Sequence, residues 1–213
     1  MEADIPDKNL FMMCRRLNRS ALREMPDDYY IRNCRESELD IWKSMPFDTP
    51  ALAERYSVYM TEFFNNVYGK REGEFFRECL FVCDRNDNPA GTCFIWKAYQ
   101  KIHTIHWFKV KKDLENRGLG RALLSAVMKD LPKEHFPVYL HTQPGSYRAI
   151  KLYSDFGFAL LSNPLIGSRK NDLEECLPIL KEHMPREFYG KLKIAKAPKY
   201  FLDAVKTSSV SEF

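Results

Sequence analysis

Gly118-Leu119-Gly120 is the stretch of this chain best suited to holding a ligand. Ahead of it, Ile102 to Val110 alternates as a strand does, and Lys111 to Arg117 is a polar turn. Behind it, Leu119, Leu123, Ala126, Val127 and Leu131 recur at helical spacing, and Pro132 ends the run. The pattern predicts strand, glycine turn and helix, with the glycines in the first helical turn. The first amides of a helix have no internal partners, and the helix dipole turns its positive end there. Glycines let a bulky anion approach the backbone closely. The turn is therefore a candidate pyrophosphate cradle. There is no Gly-Lys-Ser/Thr, which excludes a P-loop, and no Gly-x-Gly-x-x-Gly, which leaves a dinucleotide fingerprint incomplete.

The strand that leads into the turn carries a histidine. Strict alternation puts Thr104, His106, Phe108 and Val110 on one face and His103, Ile105, Trp107 and Lys109 on the other.

The elements around this unit follow from pattern and composition. At 213 residues the chain suits one domain with extensions, and 45% hydrophobic with 14% aromatic residues allow a real core. The formal net charge of +4 is mild and evenly spread, compatible with a phosphate-bearing ligand but no nucleic-acid footprint. No apolar run has the length of a membrane span, and the N-terminus lacks signal-peptide order. Six cysteines without a Cys-x-x-Cys pair or zinc spacing read as reduced core thiols in a cytoplasmic protein, with no metal site.

Asn9 to Glu24 reads as a basic amphipathic helix, part of an N-terminal helical extension over residues 1–29. Tyr29 to Asn33 reads as the first strand, Ser37 to Ser44 as a short helix, and Thr49-Pro50 as the start of a longer one. That longer helix carries Leu52, Tyr56, Tyr59, Phe63 and Phe64, most of them expected in the core. Cys79 to Cys83 and Ala90 to Ala98 form a hairpin across Asn86-Asp87-Asn88-Pro89. Val138 to Thr142 is a strand, Ser146 to Asp155 a helix, and Phe156-Gly157-Phe158 turns into a last apolar stretch. Asp172 to His183 reads as an added helix, Gly190 to Ala195 as a late strand, and the end from Lys206 as frayed. The order predicts an α/β fold with a mixed sheet.

Two segments give this pattern a family. Glu115-Asn116-Arg117-Gly118-Leu119-Gly120 resembles the Gln/Arg-x-x-Gly-x-Gly/Ala motif that opens a helix after the fourth strand of the GNAT superfamily of N-acetyltransferases. Ser146-Tyr147-Arg148-Ala149-Ile150-Lys151-Leu152-Tyr153-Ser154-Asp155-Phe156-Gly157-Phe158 resembles the family's Asn-x-x-Ala-x-x-x-Tyr-x-x-x-Gly-Phe. The resemblance covers residues 30–161 and leaves 162–213 as a C-terminal extension packed on that core. Glu115 and Ser146 depart from the pattern. A carboxylate beside a pyrophosphate is unfavourable unless it points away, with Arg117 and Arg121 as the residues that would offset it.

The resemblance implies a GNAT fold: a mixed, mostly antiparallel sheet, flanked by helices, whose fourth and fifth strands splay apart around acetyl-CoA. It places Phe108, Val110 and Lys112 along the pantetheine arm, and Asn116, Arg117, Gly118, Leu119, Gly120 and Arg121 on the pyrophosphate, with Ser146 nearby. It assigns Tyr153 as the general acid that protonates the leaving thiolate. The amine must arrive neutral, so a base is also required. His106 is the candidate there, with Glu62 and Glu54 next; the bland reading of His106 is a half-buried histidine satisfied by backbone. The implied function is transfer of an acetyl group from acetyl-CoA to a primary amine of a small molecule or peptide, by a monomer or homodimer acting without nucleic acid or membrane. The acceptor site is expected near Phe47, Tyr56, Tyr59 and the C-terminal extension. The alternative is a non-catalytic acyl-CoA sensor of the same fold.

Overall fold

The structure is a computed structural model that describes residues 5–206 and 211–213. Strand β1 (Leu10–Cys14) comes first, then β2 (Tyr29–Asn33) and four helices, α1 (Leu39–Ser44), α2 (Pro50–Arg55), α3 (Ser57–Val67) and α4 (Glu72–Glu78). Strands β3 (Leu80–Asp84), β4 (Pro89–Ala98) and β5 (Ile102–Val110) precede α5 (Leu119–Met128), β6 (Val138–Thr142), α6 (Tyr147–Phe156) and β7 (Phe158–Leu161). A short ribbon of β8 (Leu165–Ile166) and β9 (Arg169–Lys170) leads to α7 (Leu173–His183), α8 (Arg186–Tyr189), β10 (Ile194–Ala195) and α9 (Lys199–Lys206).

Eight strands form one mixed sheet in the order β10-β7-β1-β6-β5-β4-β3-β2. Only β5 with β6 and β10 with β7 are parallel; the other pairs are antiparallel. One face packs under α1, α3, α4 and α9 through Trp42, Met60, Phe64, Phe75 and Phe201. The other packs under α5, α6 and α7 through Leu123, Val127, Ile150, Phe156 and Leu180. Truncating one of these buried leucines, Leu123 for example, costs about 2–5 kcal/mol.

The predicted N-terminal helix is not there. Leu10–Cys14 is a strand between β6 and β7, antiparallel to both, with all five residues buried. Phe11 and Met13 enter one core, and Leu10, Met12 and Cys14 the other. A strand covered on both faces reads as an unbroken apolar run, which periodicity does not separate from a buried helix. Residues 10–14 thus belong to the centre of the sheet rather than to a helical extension.

The expected long helix breaks at Tyr56 into α2 and α3. Phe64 is buried and Phe63 packs against the core, but Leu52, Tyr56 and Tyr59 are exposed, so only the end of that stripe lies in the core. The C-terminal end is not wholly frayed. Residues 207–210 lie outside the described residues, but the Glu212 carboxylate accepts from Trp96 Nε1 at 3.1 Å and from the Tyr99 amide at 3.0 Å.

Two features of β5 position the site. First, β5 and β6 pair only at His103↔Val138 and Thr104↔Tyr139, so the strands separate beyond Thr104. Second, the β4–β5 register shifts between Thr92↔Lys109 and Phe94↔His106, and Trp107 has φ +50°. One extra residue on β5 reverses the faces at the bulge.

Candidate active site

The turn after β5 is built as the sequence predicts. Asn116 and Gly118 have φ of +63° and +82°, and Gly118 is the N-cap of α5. A glycine meets that conformation without a Cβ penalty. The first intrahelical bond runs from the Ala122 amide to the Gly118 carbonyl at 3.0 Å, which leaves the amides of Leu119, Gly120 and Arg121 at the positive end of the helix. A Cβ on Gly118 would meet nothing within 4 Å, so the space beside the turn is open. A Cβ on Gly120 would lie 3.2 Å from Phe108 Cζ and 3.8 Å from Val110 Cγ2.

These residues line a cleft of about 600 Å³. Phe108, Val110, Lys112, Asn116, Gly118, Leu119, Gly120, Arg121 and Ser146 all border it, so nearly every residue predicted for cofactor contact converges there. Arg117 is exposed beside the turn without bordering the cleft.

The charges are arranged differently from expectation. Arg121 turns away from the turn: it pairs with Asp155 at 2.5 Å and donates to the Ala21 carbonyl at 3.3 Å. Lys151 shares Asp155 at 2.9 Å. Glu115 is neutralised by Arg148, at 3.1 Å, from the first turn of α6. The pair links the two sequence motifs, and the sequence reading missed Arg148 because its partner is 33 residues away.

Tyr153 is buried in α6, its ring set edge-on to Phe108 with centroids 5.7 Å apart and tilted to Phe158 at 5.8 Å. It stands behind Phe108 and does not border the cleft in this conformation. Burial holds the phenol well above its ordinary pKa, so at neutral pH it is a protonated hydroxyl and not a phenolate.

His106 does not share a face with Phe108 and Val110, because the Trp107 bulge intervenes. Thr104 and His106 point to the α3–α4 side, whereas Phe108 and Val110 join the α5–α6 side. The Tyr68 hydroxyl accepts from Trp107 Nε1 at 3.1 Å and donates to His106 Nδ1 at 2.5 Å. Tyr68 is itself enclosed by Trp42, Phe75, Phe94 and Trp96. Burial pushes His106 down to about 3, so the ring is neutral, and its other hydrogen bond, given to the Glu212 backbone, leaves Nδ1 as the acceptor. That is the geometry of a satisfied core histidine.

A second cleft of about 920 Å³ adjoins the first, walled by α1, the start of α2, Lys109 and Lys111 to Asp113. Phe47 borders it and stacks on Tyr56 at 5.1 Å. Glu54 borders it too, whereas Tyr59 and Glu62 do not. Asp48, Lys109 and Lys112 border both clefts. From the C-terminal extension His183 reaches the first cleft, its ring stacked on Tyr147. Asp48, Lys109 and His183 carried no signal in the sequence beyond a polar residue before a helix cap.

Comparison with known proteins agrees with this architecture. Solved structures with similar folds include a GNAT-family acetyltransferase from Colwellia psychrerythraea (13% identity, TM-score 0.51, covering 74% of this chain and 54% of that one). A Drosophila protein matches at 16% identity and TM-score 0.50, over 73% of this chain and 48% of that one. A tandem GNAT protein from the clavulanic acid biosynthesis pathway matches at 12% identity and TM-score 0.50, over 73% and 50%. The chain thus spans about half the length of these structures, and at such identities the likeness is one of fold. No curated protein shows significant sequence similarity to it. The sequence model of the Acetyltransferase (GNAT) family matches residues 40–158, more than half of the chain and both motifs that line the cleft, and the protein therefore belongs to that family.

Proposed function

We infer that this protein moves an acetyl group from acetyl-CoA to a primary amine by direct attack on the thioester. The observation that carries the reading is the meeting, in one cleft, of the free amides at the start of α5 with the separated strands β5 and β6. The open side of Gly118 leaves room for a diphosphate against those amides. The β5 edge that β6 leaves unpaired offers backbone groups to an extended pantetheine arm. In this reading, backbone at Phe108, Val110 and Lys112 holds the arm, and an amide near Val110 stabilises the oxyanion. Asn116 to Arg121 hold the diphosphate, with Ser146 beside them.

The amine nitrogen attacks the thioester carbon, the C–S bond breaks, and the thiolate takes a proton from the Tyr153 hydroxyl. For that, the Phe108 ring must shift aside. His106 enters the reading as a residue that shapes β5, because a neutral, hydrogen-bonded ring with its pKa held down is a poor proton acceptor. A carboxylate of the second cleft, such as Glu54, accepts the amine proton through water. A monomer or homodimer in the cytoplasm, without metal, nucleic acid or membrane, completes the reading; among the described residues no helix is long and apolar enough to cross a membrane.

Thermal melts with acetyl-CoA, CoA and pyrophosphate test the reading, followed by an amine screen with thiol-release detection. At 100 times the dissociation constant, linkage predicts about 2.7 kcal/mol of stabilisation. No upward shift with saturating acetyl-CoA would overturn it. A non-catalytic acyl-CoA sensor is the second reading, favoured by Tyr153 standing behind Phe108. Stabilisation by acetyl-CoA without thiol release from any amine would select the sensor.

A further inference from the structure

The two clefts meet at one ion pair. Asp48 is the carboxylate that borders both of them. It receives Lys109 Nζ at 2.5 Å. The Trp107 bulge is what turns Lys109 toward the α1–α2 loop, one residue before Val110. Asp48 itself is held from both sides. The Phe47 amide donates to the Ser44 carbonyl at 3.1 Å, and the Phe47 ring stacks on Tyr56 with planes 3° apart. Thr49 Oγ1 accepts from the Leu52 amide at 3.3 Å, which caps α2.

We propose that Asp48 receives the ammonium group of the acceptor, and that Lys109 fills its place until an acceptor enters. The inference rests on the amine-acetylating reading above. A carboxylate that already holds a protein ammonium at hydrogen-bonding distance has the geometry a substrate ammonium requires. The position fits as well, because an acceptor coming through the second cleft meets Asp48 where the cofactor cleft begins. Both partners keep contact with water, at 25% exposure for Lys109 and 37% for Asp48, so the pair is weak and exchanges readily.

The rest of the second cleft gives no preference of sign. Lys43, Lys111 and Lys112 face Asp40, Glu54 and Asp113, so selection falls to the local pair. The substrate class that follows is an alkylamine, charged at neutral pH as a lysine is, rather than an arylamine or an alcohol. An apolar portion suits the wall made by Ile41, Met45 and Phe47.

Calorimetric titration of the full chain, with and without CoA, tests this with phenethylamine against its neutral isostere, phenethyl alcohol. The amine should bind the parent protein more tightly than the alcohol. Asp48→Asn should weaken the amine by about 10-fold, the worth of a hydrogen bond to a charged group, and leave the alcohol unchanged. Asp48→Ser should repeat the loss, and melting curves should show both variants folded. Lys109→Gln should tighten the amine, since its competitor is gone. Amine binding within twofold of the parent in both Asp48 variants would overturn the proposal. So would the absence of any preference for the amine in the parent and in Lys109→Gln. If acetyl-CoA fails to stabilise the parent protein, the acetyltransferase reading falls; if it stabilises it and the Asp48 variants bind the amine normally, only the role of Asp48 falls.

Discussion

Gly120→Glu separates the diphosphate cradle from the fold. Gly120 is the second residue of α5, and its missing Cβ points at the floor of the cleft, toward Phe108, Val110 and Leu152. A longer side chain there has to run up into the cleft. Two like charges about 4 Å apart at an effective dielectric near 20 repel by about 4 kcal/mol. Exposure to water reduces that, and a net loss near 3 kcal/mol corresponds to roughly 100-fold weaker binding. The fold should tolerate the change. Glutamate in a first helical turn gains about 0.3–1 kcal/mol, and replacing a helical glycine gains about 1 kcal/mol. Crowding the Phe108 ring costs about 1–3 kcal/mol, so the melting temperature should move by only a few degrees. Gly120→Ala is the control for size without charge, with an expected loss of roughly 10-fold or less. Isothermal calorimetry with acetyl-CoA reads the affinity, and a thermal melt reads the fold. Binding of acetyl-CoA by Gly120→Glu within threefold of the parent would show that the diphosphate lies elsewhere.

Tyr153→Phe should lower turnover roughly 10-fold or more with acetyl-CoA affinity and melting temperature little changed; full activity would remove the hydroxyl from the mechanism, and equal losses of stability and rate would make it a packing residue. Arg148→Glu should weaken acetyl-CoA binding about 10-fold by leaving Glu115 unpaired at the cleft, and Glu115→Lys added to it should restore most of the loss; a doubly exchanged protein no better than the single variant would refute the pairing. Burial holds His103 down to about 4 and His106 down to about 3, against about 6.5 in an unfolded chain. Their contribution to stability is full above pH 6.5 and falls as pH drops, because the unfolded chain then binds protons that the fold refuses. The buried neutral ring of His106 should remove about 1 kcal/mol between pH 6.5 and 5.5, half-buried His103 less, and His106→Gln should flatten the slope of melting temperature against pH; an unchanged slope would show that His106 titrates normally.

Local chemistry was enough for much of the fold. The β3–β4 hairpin, the strand Ile102–Val110, the glycine turn and α5 are legible because each is set by alternation, helical spacing or a turn residue within about a dozen positions. The same holds for most of the residues that line the first cleft, which sit on two short motifs that fold back on one another. Three decisions lie beyond that range. Leu10–Cys14 enters the sheet between β6 and β7, and its unbroken apolar run carries no sign of which element it forms or where it inserts. Trp107 bulges from β5, and one inserted residue reverses the face of everything beyond it, which parts His106 from Phe108 without changing the hydrophobic alternation. Asp48 and Lys109 meet across 61 residues. Side chains so far apart along the chain come together only when the packing of α1 and α2 on the sheet fixes where a loop lies, and that packing is a property of the whole core rather than of any segment.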